Sequence, residues 1–285
     1  MNAINRATSS IFDVLLTPFE LLGPEISLIL VSGLFGILAL LVFKQISWQA
    51  GIKQTKDKIK GHMIAIRLYQ DDLAVVGASV VKVLLRNIQY LSLNFLPIVP
   101  LMPPFLLVAA QLVVRYAFDP VPVTASVEEA SAEDVNLLEI EFKHDRRTEI
   151  ANLELAFPEG IEARSKLVRN AREGRAFVEF VATAPVQGDI RLLLDGQEVG
   201  SKAIVAGDER MRLMQPERVS SFWLAWLWPA EDTFGERSPV EHMTFTYPDR
   251  ELRVLPGGVG GVILTFFLAS IVFGIAILKP LNIQI

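Results

Sequence analysis

The sequence contains no cysteine and only three histidines, His62, His144 and His242. Without cysteine the chain can form no disulfide bridge, thiolate nucleophile or cysteine-ligated metal site. No histidine is followed by a potential metal ligand three or four residues later, and H-E-x-x-H, G-x-S-x-G and dinucleotide-binding patterns are all missing. The sequence therefore predicts a protein that is not an enzyme and that needs no cofactor and no metal.

Charge is missing from three long stretches, residues 26–43, 87–114 and 255–278. An apolar run of about 18 or more residues can cross about 30 Å of hydrocarbon as a helix. Core helices of a soluble protein are the alternative, but three such runs are hard to bury in a chain of 285 residues. We therefore predict three transmembrane helices, at residues 26–44, 87–118 and 255–279.

The distribution of charge predicts how these helices are oriented. Arg6 is the only basic residue before the first predicted span, whereas the segment between the first two spans is rich in lysine, and residues 119–254 are acidic. Lysine and arginine mark cytoplasmic loops. We expect a multi-pass protein of the bacterial inner membrane with its N-terminus outside, residues 119–254 outside, and the tail at 280–285 in the cytoplasm.

Residues 1–25 contain an amphipathic pattern. Apolar side chains recur at helical spacing on one side, with Asp13, Thr17 and Glu20 opposite. This pattern predicts a helix that lies in the outer membrane interface. A flexible tail before the first span is the alternative.

Residues 45–86 predict a charged cytoplasmic helical hairpin. Apolar residues recur near helical period on both sides of "YQDD", where Asp71 or Asp72 can serve as an N-cap. The basic residues that could contact a client protein, the ribosome or lipid are Lys53, Lys56, Lys58 and Lys60. A solvated face attracted to anionic lipid explains them equally well. The segment lacks interleaved aromatic residues, so we predict no specific nucleic-acid binding.

The second predicted span carries four prolines in the stretch "NFLPIVPLMPPFLL". Proline removes a helical hydrogen bond, and the freed backbone is tolerated in a membrane where it faces protein or a wet cavity. Pro97, Pro100, Pro103 and Pro104 are therefore predicted to distort this helix. Asn94 precedes these prolines and Gln111 and Arg115 follow them, so this span is predicted to be irregular and partly polar.

Residues 119–254 alternate apolar and polar side chains in short runs such as "NLLEIEFK", "NLELAF" and "GRAFVEFVATA", and Asp195-Gly196 predicts a hairpin turn. About seven short strands, two of them in "EHMTFTYPDRELRVLP", predict an all-β, sandwich-like domain. Within it, residues 221–232 contain Trp223, Trp226 and Trp228. Tryptophan favours membrane interfaces, so an interfacial helix is predicted, with core packing as the alternative.

The order of these parts resembles the YidC/Oxa family of membrane insertases. "PEISLILVSGLFGILALLVFKQISWQAGIKQTKDKIK" is similar to that family's first core span and hairpin, and "NIQYLSLNFLPIVPLMPPFLLV" to its second core span. Two features differ: no arginine stands near Gly36, where bacterial members carry one in the groove, and a β-domain replaces a short transmembrane hairpin. The resemblance implies a three-span core with a hydrophilic groove, for which the candidate lining residues are Ser32, Ser92, Asn94, Gln111 and Arg115. Helix–helix hydrogen bonding, or anchoring at the interface for Arg115, is the alternative.

The resemblance also implies an insertase-like or chaperone-like function in which the groove assists insertion or folding of client membrane proteins. The alternative is a membrane-anchored scaffold whose β-domain binds an extracytoplasmic protein partner. A transporter or channel subunit is a third reading, but it would need more spans or a ladder of charges. The overall prediction is an α-helical membrane core, made of three transmembrane helices and a cytoplasmic hairpin, with an all-β extracytoplasmic domain.

Overall fold

The computed structural model describes residues 2–208 and 210–281, which contain six α-helices and nine strands. The helices are α1 (Asn2–Glu20), α2 (Pro24–Ile46), α3 (Gln49–Leu68), α4 (Leu73–Phe95), α5 (Met102–Tyr116) and α6 (Gly258–Leu278). The strands are β1 (Asn136–Phe142), β2 (Leu153–Ala156), β3 (Ile161–Ala163), β4 (Val168–Asn170), β5 (Arg175–Ala182), β6 (Val186–Leu194), β7 (Gln197–Ala206), β8 (Glu217–Val219) and β9 (Val240–Thr244). Most of the predicted tail at 280–285 lies outside the described residues.

Three stretches are long and apolar enough to cross a membrane: Pro24–Ile46, Leu73–Tyr116 and Gly258–Leu278. They confirm the number of candidate spans, but the second stretch has 44 residues and begins far before the predicted residue 87. It is not one helix. α4 ends at Phe95, a 3-10 helix follows at Leu96–Leu101, and α5 begins at Met102.

The prolines lie where the helix type changes. Pro97 and Pro100 belong to the 3-10 helix, whereas Pro103 and Pro104 stand in the first turn of α5. Proline is tolerated in a first turn because the N–H groups there have no helical partner. The irregular segment is therefore limited to Leu96–Leu101.

The chain forms two compact units. One contains residues up to Leu28 together with Leu106–Thr265, and so holds α1 and the β-domain. The other contains Ile29–Phe105 and the chain from Phe266 onward, and so holds the hairpin and most of α2 and α6.

The β-domain consists of two antiparallel sheets. The larger has the order β3-β5-β1-β9-β8, with β4 also paired to β5, and the smaller has the order β2-β6-β7. Buried side chains of both sheets meet in the core, where Lys202 of β7 lies over the ring of Phe245, which follows β9. The β6–β7 turn at Asp195-Gly196 forms as predicted, with positive φ at both residues. "EHMTFTYPDRELRVLP" supplies one strand, β9, rather than the predicted two.

Side chains close the free edge of β7. The carbonyl oxygens of Val199 and Ser201 accept hydrogen bonds from Ser238 and Arg218. The amides of Ala203 and Val205 donate to Glu231 Oε2 at 3.1 Å and to Tyr247 Oη at 3.2 Å. An open strand edge is a template for pairing with another chain, so these contacts take the place of a neighbouring strand.

Candidate functional site

The hairpin of α3 and α4 carries the most unusual surface of its unit. The two helices pack against each other, and a short connection at residues 69–72 joins them. Asp72 is the N-cap of α4, because its Oδ1 accepts from the amides of Ala74 at 3.0 Å and Val75 at 3.1 Å. The sequence had left Asp71 and Asp72 as equal candidates.

One face of α4 is apolar and exposed along the whole helix. The less exposed face of α4 includes Val76, Ser79 and Val83, which lie on one side of the helix because they are three and four residues apart. The opposite face forms what we call the α4 stripe, and its members are Leu73, Val80, Val81, Leu84, Leu85, Ile88, Leu91 and Phe95. α4 has 23 residues, so the stripe is about 34 Å long at 1.5 Å per residue.

A membrane crossing does not need the α4 stripe. Phe105 of α5 contacts Phe35 of α2 and Phe266 of α6, with ring centroids 4.9 and 5.1 Å apart. Phe35 stands at the middle of α2 and Phe266 near the middle of α6, so this aromatic cluster marks the centre of the three crossings. A crossing centred on Phe105 needs about ten residues on each side to span about 30 Å. Leu96–Tyr116 meets that need without α4.

The sequence predicted that the hairpin lysines form a contact face, and the structure places them on α3. Lys53, Lys58 and Lys60 are exposed and Lys56 is half-buried. A second basic group lies where the two helices meet, in a pocket lined by His62, Lys82, Leu85, Arg86 and Gln89. The hairpin thus combines a basic helix with an apolar one, the combination needed to hold an apolar segment with acidic or anionic neighbours.

Among the predicted groove residues, those of the hairpin unit make local contacts. Ser92 Oγ donates to Ile88 O at 2.9 Å, and Asn94 Nδ2 donates to Tyr90 O at 2.8 Å, both within α4. Ser32 is fully buried, and its carbonyl oxygen accepts from Ser270 Oγ of α6 at 2.9 Å.

Helix packing closes the position of Gly36 in α2. A Cβ atom added to Gly36 would overlap the backbone of Ser270. α2 and α6 therefore approach each other backbone to backbone at Gly36, as small residues allow in membrane helices. No long side chain, an arginine included, fits at this position without moving α6.

Gln111 and Arg115 anchor α1 within the other unit. Arg115 is 2% exposed, forms an ion pair with Asp13 at 2.7 Å, and donates to the carbonyl oxygen of Ser9 at 3.1 Å. Gln111 Nε2 donates to Ser9 Oγ at 3.0 Å. Sequence reasoning missed this pairing, because Asp13 was read only as the polar side of an amphipathic helix.

The three tryptophans of 221–232 have different surroundings. The segment forms only a short 3-10 helix at Leu224–Trp226, not the longer helix predicted. Trp223 is 77% exposed, whereas Trp228 donates from its indole N–H to Glu217 Oε2 at 3.1 Å. The two alternatives, exposed surface and core packing, each describe part of the segment.

The β-domain also contains a buried ion pair that the sequence did not indicate. Lys202 is 0% exposed, and its Nζ donates to Glu231 Oε1 at 2.6 Å and to Gln215 O at 2.8 Å. Burial lowers the pKa of Lys202, while Glu231 opposes that shift. The Glu231 carboxylate, the Gln215 carbonyl oxygen and the Phe245 ring favour the ammonium form, whereas the charge of Arg218 opposes it.

Comparison of this chain with family models, with curated proteins and with solved structures gives no match. Within residues 2–208 and 210–281, no three His, Asp or Glu side chains are placed to hold a metal ion. Any functional conclusion therefore depends on the surfaces described above.

Proposed function

We propose that the chain assists the insertion or folding of other membrane proteins, and that the α4 stripe receives an apolar segment of the client. The observation that carries this proposal is a continuous apolar face on a helix that the crossing does not need. A hairpin in water ordinarily covers such a face. Exposed apolar patches of this extent therefore mark interaction sites.

The dimensions of the stripe favour a client transmembrane segment as its occupant. A helix that crosses about 30 Å of hydrocarbon matches the length of the α4 stripe. Helix-in-groove binding uses anchors at three- and four-residue spacing, which Leu84, Ile88 and Leu91 provide. The exposed lysines of α3 add attraction to acidic groups near the client segment.

The proposal includes the topology inferred from charge. The lysine-rich hairpin lies in the cytoplasm of a bacterial cell, the N-terminus and β-domain lie outside, and the C-terminus lies inside. The resemblance to the YidC/Oxa family supports the same function. In this chain, however, client contact begins at the hairpin and does not use the position of Gly36, which Ser270 closes.

Insertion of a reporter tests the proposal. The full chain is reconstituted in liposomes, and a nascent protein with one apolar segment is synthesised beside them. We expect Leu84→Glu with Ile88→Glu to reduce the protease-protected reporter several-fold, because the two carboxylates would face the client segment. Gln54→Glu with Gln70→Glu adds the same charge to exposed hairpin positions outside the stripe and should leave insertion unchanged.

Crosslinking from the stripe identifies its occupant. A photoreactive residue at Leu84 should crosslink to the reporter and not to a version in which the apolar segment is replaced by a polar one. Crosslinks only to lipid or to a second copy of the chain would contradict the proposal. Equal insertion by both double variants would contradict it as well, and would favour the scaffold function of the β-domain.

A further inference from the structure

We propose that the uncharged face of α1 and the exposed part of the tryptophan segment together form one surface that is embedded in the lipid of the outer leaflet. We call it the lipid-facing surface. This inference takes the outer leaflet from the topology of the proposed function but does not depend on client insertion, since it concerns how the α1 and β-domain unit meets the bilayer.

α1 has three sides with different surroundings. Its buried side, Asn5, Ser9, Phe12 and Leu16, packs into its own unit. Its charged residues make ion pairs within that unit: Arg6 with Asp232, Asp13 with Arg115, and Glu20 with Arg212 at 2.8 Å. The buried side is therefore covered, the charged side is paired although the Arg6 side chain is 72% exposed, and the third side is exposed.

The open side of α1 contains no charged residue. Its exposed members recur at helical spacing and are Ala3, Ile4, Ala7, Ile11, Val14, Leu15 and Pro18. Val14 is 76% exposed. An apolar face that runs along a helix of 19 residues, opposite a charged side, is the pattern of a helix lying in a membrane interface.

The tryptophan segment adjoins α1. Asn5 Nδ2 donates to Ala225 O at 3.0 Å, and this contact fixes the 3-10 helix beside the start of α1. Around the buried Ala225, the exposed residues are Phe222, Trp223, Leu224 and Leu227. Aromatic side chains of this kind are enriched at the level of lipid headgroups.

Continuity with a candidate span identifies the occupant as lipid. The apolar surface continues from α1 through Leu21, Leu22 and Ile26, which are exposed, into α2. α2 is one of the three helices long and apolar enough to cross a membrane. The two carboxylates of this stretch, Glu20 and Glu25, accept from Arg212 and from the amide of Val254. The exposed apolar side chains beside them join a candidate membrane helix, so we expect them to meet the same lipid.

Tryptophan fluorescence tests the inference in nanodiscs that contain brominated phosphatidylcholine. The full chain keeps a single tryptophan, Trp223, after Trp48→Phe, Trp226→Phe and Trp228→Phe. We expect bromine to quench Trp223 and aqueous iodide to quench it weakly. The matched control keeps Trp228 instead, whose indole is hydrogen-bonded to Glu217 and should be quenched less by bromine.

Cysteine labelling tests the α1 side, and the natural absence of cysteine makes each variant a single-thiol protein. Ser10→Cys lies on the polar side and Val14→Cys on the open side, and both positions are exposed in the structure. Apolar surroundings raise the pKa of a thiol, and each unit lowers the thiolate fraction about tenfold. We expect a water-soluble maleimide to label Val14→Cys about tenfold more slowly than Ser10→Cys in nanodiscs, and at a similar rate after unfolding in detergent and urea.

Two outcomes would overturn the inference. Equal labelling rates, with strong iodide quenching of Trp223, would place the surface in water. Slow labelling without bromine quenching would show that a protein, such as a second copy of the chain, covers the surface in place of lipid.

Discussion

The buried pair of Lys202 and Glu231 makes a quantitative prediction about stability. Glu231→Gln keeps the size of the side chain but removes the negative charge that faces Nζ at 2.6 Å. The ammonium group, 0% exposed, would then face no counter-charge, and the single amide oxygen introduced could not replace both carboxylate oxygens, which accept from Nζ and from the amide of Ala203. Breaking a buried pair in this way costs about 3–5 kcal/mol. Because Glu231 is 13% exposed and water can relieve part of this cost, we expect about 3 kcal/mol.

The converse substitution should be milder. Lys202→Met replaces the buried ammonium with an apolar side chain of similar length, and replacement of buried charges by apolar groups is often close to neutral. Glu231 would still accept from the amide of Ala203 and reach water. We therefore expect Lys202→Met to cost about 1 kcal/mol or less.

Thermal unfolding of the full chain in nanodiscs, followed by near-ultraviolet circular dichroism, measures the difference. A loss of about 3 kcal/mol lowers the midpoint of a domain of this size by about 6–12 °C. Glu198→Gln is the control, because Glu198 is an exposed residue of β7, the strand that holds Lys202, and it should leave the midpoint unchanged. If Lys202→Met destabilises as much as Glu231→Gln or more, the pair is not a charged pair in the folded state and the reasoning fails.

Three further predictions follow from other contacts. Burial lowers the pKa of Lys202, so above the folded pKa the unfolded chain binds more protons than the folded chain. The stability of the native chain relative to Lys202→Met should therefore rise as the pH approaches about 10.5. A fall in this relative stability would contradict the prediction. Gly36→Leu should separate α2 from α6 and lower the unfolding temperature in detergent, while Gly77→Ala, at an open helical position, should raise helix stability by about 0.5–1 kcal/mol; similar outcomes would refute the close contact. Asp72→Ala should remove the α4 N-cap and cost about 1 kcal/mol in urea unfolding, whereas Asp71→Ala should have little effect.

Local patterns predicted the parts of the fold that depend on neighbours in sequence. The Asp195-Gly196 turn and the N-cap near Asp72 are encoded within a few residues. The three candidate spans and the β-rich region follow from composition over tens of residues. The helix at residues 1–25 was also predicted from its period, and α1 forms there.

The boundary between hairpin and span could not be read from charge. The charge-free run begins after Arg86, but α4 begins at Leu73 and ends at Phe95. The α4 stripe is as apolar as a crossing, so the two merge in any window of sequence. The contacts of Phe105 with Phe35 and Phe266, which are distant in sequence, are what favour a crossing that begins after α4.

The partners of polar residues could not be predicted where they are distant in sequence. Arg115 was read as a groove or interface residue, because nothing near it in sequence indicates Asp13. Lys202 lies in a strand of alternating pattern and looks like an ordinary exposed lysine, yet its partners Gln215 and Glu231 come later in the chain. Strands of three residues, such as β3 and β8, are too short for alternation to be recognised.

The side chains that close the edge of β7 bear on how the domain is made. β6 and β7 are complete at Ala206, but the groups that cover the edge belong to Arg218, Glu231, Ser238 and Tyr247. During synthesis β6 and β7 can therefore pair before the side chains that cover the β7 edge have been made. The cover is complete only after about forty later residues, at Tyr247. A chain that is truncated in this interval would keep an open strand edge that can pair with another copy. Protection of the sheet therefore requires the last third of the domain.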